Sequence, residues 1–173
     1  QVVALTTLQA AGLSSANANA LTTVQLVAME TEDFAALSAS SVRGLSSQQV
    51  AALTTLEILA LSTTQAGALS SSGAAALTTR QLVAMETGDI AALSTASLQA
   101  LSSVQIATLL TTQIAGLSAR QMAGLSAANI AAFTTAQILA IETADLSAIT
   151  TTNVQALTTS QLSKLSTATV AML

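Results

Sequence analysis

A large apolar residue returns at every eighth position from Leu5 through Leu13, Leu21 and Met29 to Leu173, without a slip of register in 22 occurrences. The residue after this anchor is usually Ser or Thr, and three places further on stands Gln, Asn, Asp or Glu, as in Thr6–Gln9, Thr22–Gln25 and Thr54–Glu57. The sixth place of each octad is apolar (Leu26, Phe34, Val50, Ile58) and the eighth is usually Ala or Gly. A strict short period of this kind marks a repeat architecture.

The period excludes the simplest elements. In one continuous α-helix, eight residues at about 100° each leave successive anchors rotated by about 80°, so no apolar stripe forms. A coiled coil needs a repeat near 3.5 with charged flanks. In a straight strand the anchor and the sixth place differ in parity and point to opposite faces. A short helix that restarts in every octad satisfies the pattern. Ser or Thr followed three places later by Gln or Glu is the capping-box signature, which pairs orphan N–H groups of a first helical turn. It occurs in 13 of 21 octads when Asn is admitted. The sixth place and the next anchor then lie three apart on one helix face, and together enter the core.

The expected fold is therefore all-α, a solenoid of very short helices, with residues 1–173 forming one uninterrupted array. Two octads per superhelical turn, as helical hairpins, is the preferred arrangement. Each cap contributes roughly 1 kcal/mol, so isolated six-residue helices would melt and stacking must hold them. A β-solenoid is the alternative, since Thr, Ile and Val suit strands. The scarcity of Asn-Gly and Asp-Gly corners and the abundance of Ala, Leu and Gln weigh for helices. The small eighth residue is expected to let the next helix come close. Gly73, standing where Gln is usual, reads as tolerated drift, with a local weak point or hinge as the alternative, and Leu110 replaces a capping hydroxyl.

A longer period overlies the octad. Leu21–Thr31 recurs at Leu77–Thr87 with Arg80 in place of Val24, and a weaker copy runs from Phe133 to Thr143, so the block is seven octads long. It gathers the acids: Glu30, Glu32 and Asp33, then Glu86 and Asp89, then Glu142 and Asp145, with only Glu57 elsewhere. The seven acids of the blocks, without Glu57, are the candidate calcium or partner contacts. Calcium asks for six to eight converging oxygens, and two or three acids per block fall short. Acids in a first helical turn also complement the helix dipole, which accounts for them structurally. Because Glu caps poorly, those three octads are expected to start one residue later.

Composition narrows the chemistry. The chain has no His, Cys, Trp, Tyr or Pro, and 7% charged residues. The usual ligands for zinc, haem and iron–sulfur clusters are missing, and so are Ser-His and Cys-His nucleophiles. No enzyme and no cofactor is expected. Arg43, Arg80, Arg120 and Lys164 are scattered and unaccompanied by aromatic rings, which excludes nucleic acid as a partner. Mean hydropathy is +0.67. Yet polar residues break every octad, so no run of about 20 apolar residues exists and membrane insertion is not expected. No signal peptide is visible and the array is already running by Leu5, as in an excerpt from a longer chain.

The octads Ala20-Leu21-Thr22-Thr23-Val24-Gln25-Leu26 and Ala156-Leu157-Thr158-Thr159-Ser160-Gln161-Leu162 resemble repeats of very large secreted or surface exoproteins of proteobacteria, some labelled haem-utilisation or adhesion proteins. The resemblance covers essentially the whole chain. It implies an extracellular setting, at the cell surface or secreted, and a structural extender of adhesin type. Host or cell-surface proteins would then be met through other domains of the full chain. A haem role finds no support, because the chain has no His, Tyr or Cys and Met alone makes no axial pair. The alternatives are a protein- or surface-binding solenoid module and an ice-binding surface built from Thr rows. With two octads per layer the extender would be a rod about 90–100 Å long.

Overall fold

The computed structural model describes residues 5–171 and residue 173. Twenty-one helices of four to six residues, one per octad, run from Thr7–Ala11 to Thr167–Val170, and no strand occurs among the described residues. The all-α solenoid is the fold.

Each helix is built as the octad requires. The N-cap residue sits in extended backbone, with φ −69° and ψ 158° at Thr22, and its hydroxyl accepts from the N–H of Gln25. The carbonyl of Thr22 receives the first helical bond, from Leu26 N at 2.9 Å. The helix closes when the next anchor donates to the sixth-place carbonyl, as Leu45 N does to Val42 O at 3.2 Å. That anchor then drops into extended backbone, φ −63° and ψ 135° at Leu45, and the next N-cap follows it there, φ −70° and ψ 160° at Ser46. Two extended residues therefore form the corner. No described residue has positive φ, so these helices end without the left-handed glycine that commonly stops a helix.

This corner decides the superhelix. Two extended residues turn the chain without reversing it, so consecutive helices do not form hairpins. Helix Ser15–Ala20 packs instead on Ala39–Gly44, that one on Thr63–Ala68, and that one on Thr87–Ala92, each three places on. A turn takes between three and four octads, and the expected two per turn is wrong. At the 8–10 Å spacing of packed helices, roughly six turns give a rod about 50–60 Å long, shorter than the hairpin arrangement implied.

The interior is apolar and continuous. Sixth-place residues such as Leu26, Phe34, Ile58 and Leu82 are fully buried, and the anchors Leu37, Leu45, Leu77 and Leu93 close the gaps between them. The small eighth place serves the turn below, not the adjacent helix. A Cβ added at Gly44 would stand 2.7 Å from the carbonyl oxygen of Ser15, which lies in that lower turn. Gly73 leaves its helix intact: Ser71–Ala76 is capped by the Ser70 hydroxyl like its neighbours.

Candidate functional site

The residue at the third helical position, which the capping box made the reciprocal partner of the N-cap, holds two sets of bonds. Gln81 shows the arrangement. Its Oε1 accepts from the backbone N–H of Thr78 at 2.6 Å, closing the box. Its Nε2 points inward and donates to Val50 O at 2.9 Å and Leu53 O at 2.8 Å, in the turn below. Gln113 repeats this with Leu82 O and Met85 O, and Gln137 with Ile106 O and Leu109 O. Asn129 and Asn153 reach Leu101 O and Leu125 O, while Ser41 and Ser97 reach Leu13 O and Leu69 O by their hydroxyls. Gln49, Gln65, Gln105, Gln121 and Gln161 do the same, and in all twelve cases the acceptor is the anchor carbonyl 28 residues earlier.

A buried ladder therefore runs up the rod with a step of three and a half octads. It pairs anchor carbonyls that the extended corners would otherwise leave without donors, and buried backbone groups are rarely left so. The signal for it was present in the sequence: amides fill thirteen of these positions and Glu only one. A capping box alone accepts Glu as readily as Gln. The preference for an amide reports the second, donating, end.

The capping expectation is met closely. Of the thirteen sequence signatures, eleven form the full reciprocal box. At Ser14 and Thr150 only the hydroxyl half is made, toward the N–H groups of Asn17 and Asn153. Leu110 offers no acceptor, and its own N–H is received by Gln113 Oε1 at 2.8 Å.

The acids divide into two populations. Glu30 and Glu86 occupy N-caps without any side-chain cap bond and are exposed, as are Glu32 and Glu142. The helices they precede, Thr31–Ala35, Thr87–Ala92 and Thr143–Leu146, start at the ordinary register, so the expected delay of one residue does not occur. The backbone explains this: Phe34 N still bonds Glu30 O at 3.0 Å with no help from the carboxylate. Asp33 and Asp89 are buried at the third helical position, and Asp145 is half-buried there. The Glu of each block thus points outward and the Asp inward. Among the described residues, no three acidic side chains converge on a point that could hold a metal ion.

Asp33, Glu57, Gly73, Asp89 and Asp145 are the places where the ladder has no donor of its own. Burial is the main force raising the Asp89 carboxyl above its ordinary value of 3.8. The negative charge of Glu86 adds to it, while hydrogen bonds from the Thr63 hydroxyl and the Glu86 backbone oppose it. The fold therefore favours the protonated form. Its contribution to stability is present at low pH and is lost as pH rises through the raised value. Denaturant melts of the wild type and Asp89→Asn across pH 3.5–7 should show the wild type losing ground to the variant as pH rises. A constant difference would contradict the burial of this carboxyl.

On the outside, a shallow apolar groove of about 420 Å³ is lined by Thr23, Val24, Val27, Ala28 and Ala52. Ala52 stands one ladder step beyond Val24, so the step also describes the surface. No helix is long and apolar enough to cross a membrane among the described residues.

Neither a curated protein nor a solved structure matches the chain. A family profile described as the ALTTAQ repeat matches residues 26–63, 82–119 and 138–173. Successive matches begin seven octads apart, which is the length of the acid-bearing block and of two ladder steps. They span well over half the chain, and it belongs to the ALTTAQ repeat family.

Proposed function

We propose that this chain is a non-catalytic extender of a large secreted or cell-surface bacterial exoprotein of adhesin type, a rod that holds other domains of that protein away from the surface. The observation that supports this is the ladder. The buried polar side chains of each turn are spent on the turn beneath, so the unit extends along one axis without limit, as solenoids do. The extracellular setting rests on the likeness of the octads to exoprotein repeats. Ligand contacts with host or cell-surface proteins then belong to flanking domains.

The test is small-angle scattering on one, two and three tandem copies of the 173 residues joined in octad register. The maximum dimension should grow by about 50–60 Å per copy, at 8–10 Å per layer. A dimension that grows only as a compact particle would reject the extender. Surface labelling of intact cells that express the full-length protein tests the location, and a fully protected repeat region would reject it.

A further inference from the structure

We propose that the rod pairs side by side, in parallel, with a second copy of itself along one apolar side. Position within the ladder step gives each residue's place around the rod. Val27, Val83 and Leu139 are spaced by seven octads, so they stand on one side, two turns apart, and all three are exposed. Leu56 and Leu59, 65% and 49% exposed, fall one and four places past the step from Val27 and fill the turn between. Of eleven exposed large apolar side chains among the described residues, all but Leu8 fall within twelve consecutive places of the 28 that make one step. Outward-facing places occur all round the rod, and elsewhere they hold mostly Ala, Ser, Thr, Asn and Gln, with Glu32, Arg43 and Arg120 among them. One side of the rod thus gathers nearly all of its exposed large apolar side chains, with Arg80, Glu30, Glu86 and Glu142 interspersed among them, and such a gathering marks an interaction surface.

Pitch and charge identify the occupant. The apolar residues recur with the turns of the rod, and a second rod of the same pitch meets them at every turn. In the middle block Arg80, Val83 and Glu86 follow at intervals of three, so the base and the acid flank Val83 at nearly one height. Arg80 and Glu86 are both exposed, and the Glu86 carboxylate makes no cap bond. A two-fold axis parallel to the rod sets Val83 against Val83 and brings each Arg80 to the other copy's Glu86. Antiparallel pairing would instead set Arg80 against Arg80 and Glu86 against Glu86. Complementary charge selects between such registers.

Sedimentation of the 173-residue chain over a wide concentration range should show monomer passing to dimer. Arg80→Glu should weaken dimerisation by about tenfold or more, and the double variant Arg80→Glu/Glu86→Arg should restore it, with helical circular dichroism unchanged throughout. Since the chain has no Cys, Val27→Cys alone reports orientation: parallel pairing gives a disulfide-linked dimer of that variant on oxidation. A wild type that stays monomeric, a double variant that does not recover, or Val27→Cys that links only to Leu139→Cys would overturn the proposal. Each of these outcomes is independent of the rod length read by scattering.

Discussion

Replacing Gln81 by Leu is expected to lower the stability of the rod by about 3–5 kcal/mol, although the new side chain is apolar and similar in length. Two groups lose their only partner, the Thr78 N–H and the Leu53 carbonyl, while the Val50 carbonyl loses one of two donors and keeps its bond from Leu53 N at 3.2 Å. Each buried polar group left unpaired costs about 1–3 kcal/mol, far more than the net gain from one ordinary hydrogen bond. Gln81 is 2% exposed, so water does not replace the lost partners. Urea denaturation measures the change. As a control, Gln25→Leu alters the same octad position where the side chain is exposed and makes only the local box, and it should cost less than half as much. Equal losses at the two positions would mean that the ladder contributes nothing beyond capping.

The opposite substitution should stabilise. Glu57→Gln is expected to add about 2–3 kcal/mol at neutral pH, from removal of a stranded acceptor and gain of a donor. Glu57 is 3% exposed, and its Oε2 fills the capping role toward the Thr54 N–H at 2.7 Å. Its Oε1 is buried with no hydrogen-bond partner. The ladder step assigns Met29 O to this position, so an oxygen stands where twelve other octads present an N–H or O–H. An amide supplies that donor without a change of shape. Melts of the two proteins should separate clearly, and unchanged stability would show that the Glu57 oxygen already has a donor.

Much of this fold was legible because the octad encodes local events. The pairing of sixth place with next anchor and the caps follow from contacts within one or two octads, and Leu26, Leu45 and Thr22 behave as the pattern requires. The number of octads per turn was not legible. Hydropathy is the same for two, three or four octads, and the choice lies in the corner, where an anchor such as Leu45 and the residue after it are both extended. The second bond of each Gln was hidden for the same reason, since its acceptor is identifiable only once the turn length is known. The acids were only partly readable. Their grouping by block was plain, but the division into outward Glu30 and Glu86 and inward Asp33 and Asp89 depends on which helix face meets the axis.

The three-and-a-half-octad step acts as a gear ratio on how such an array can lengthen. Insertion of a single octad preserves every local rule, because the next donor finds the next anchor carbonyl. It also rotates everything beyond it by roughly a quarter of the circumference or more, as between three and four octads complete a turn. Any patch that ran straight along the rod would be cut into two that face different ways. Seven octads are the smallest whole number that returns the ladder to the same azimuth, after two turns. Duplication of a seven-octad unit therefore lengthens the rod and leaves its sides aligned, and that is the block length this chain carries three times.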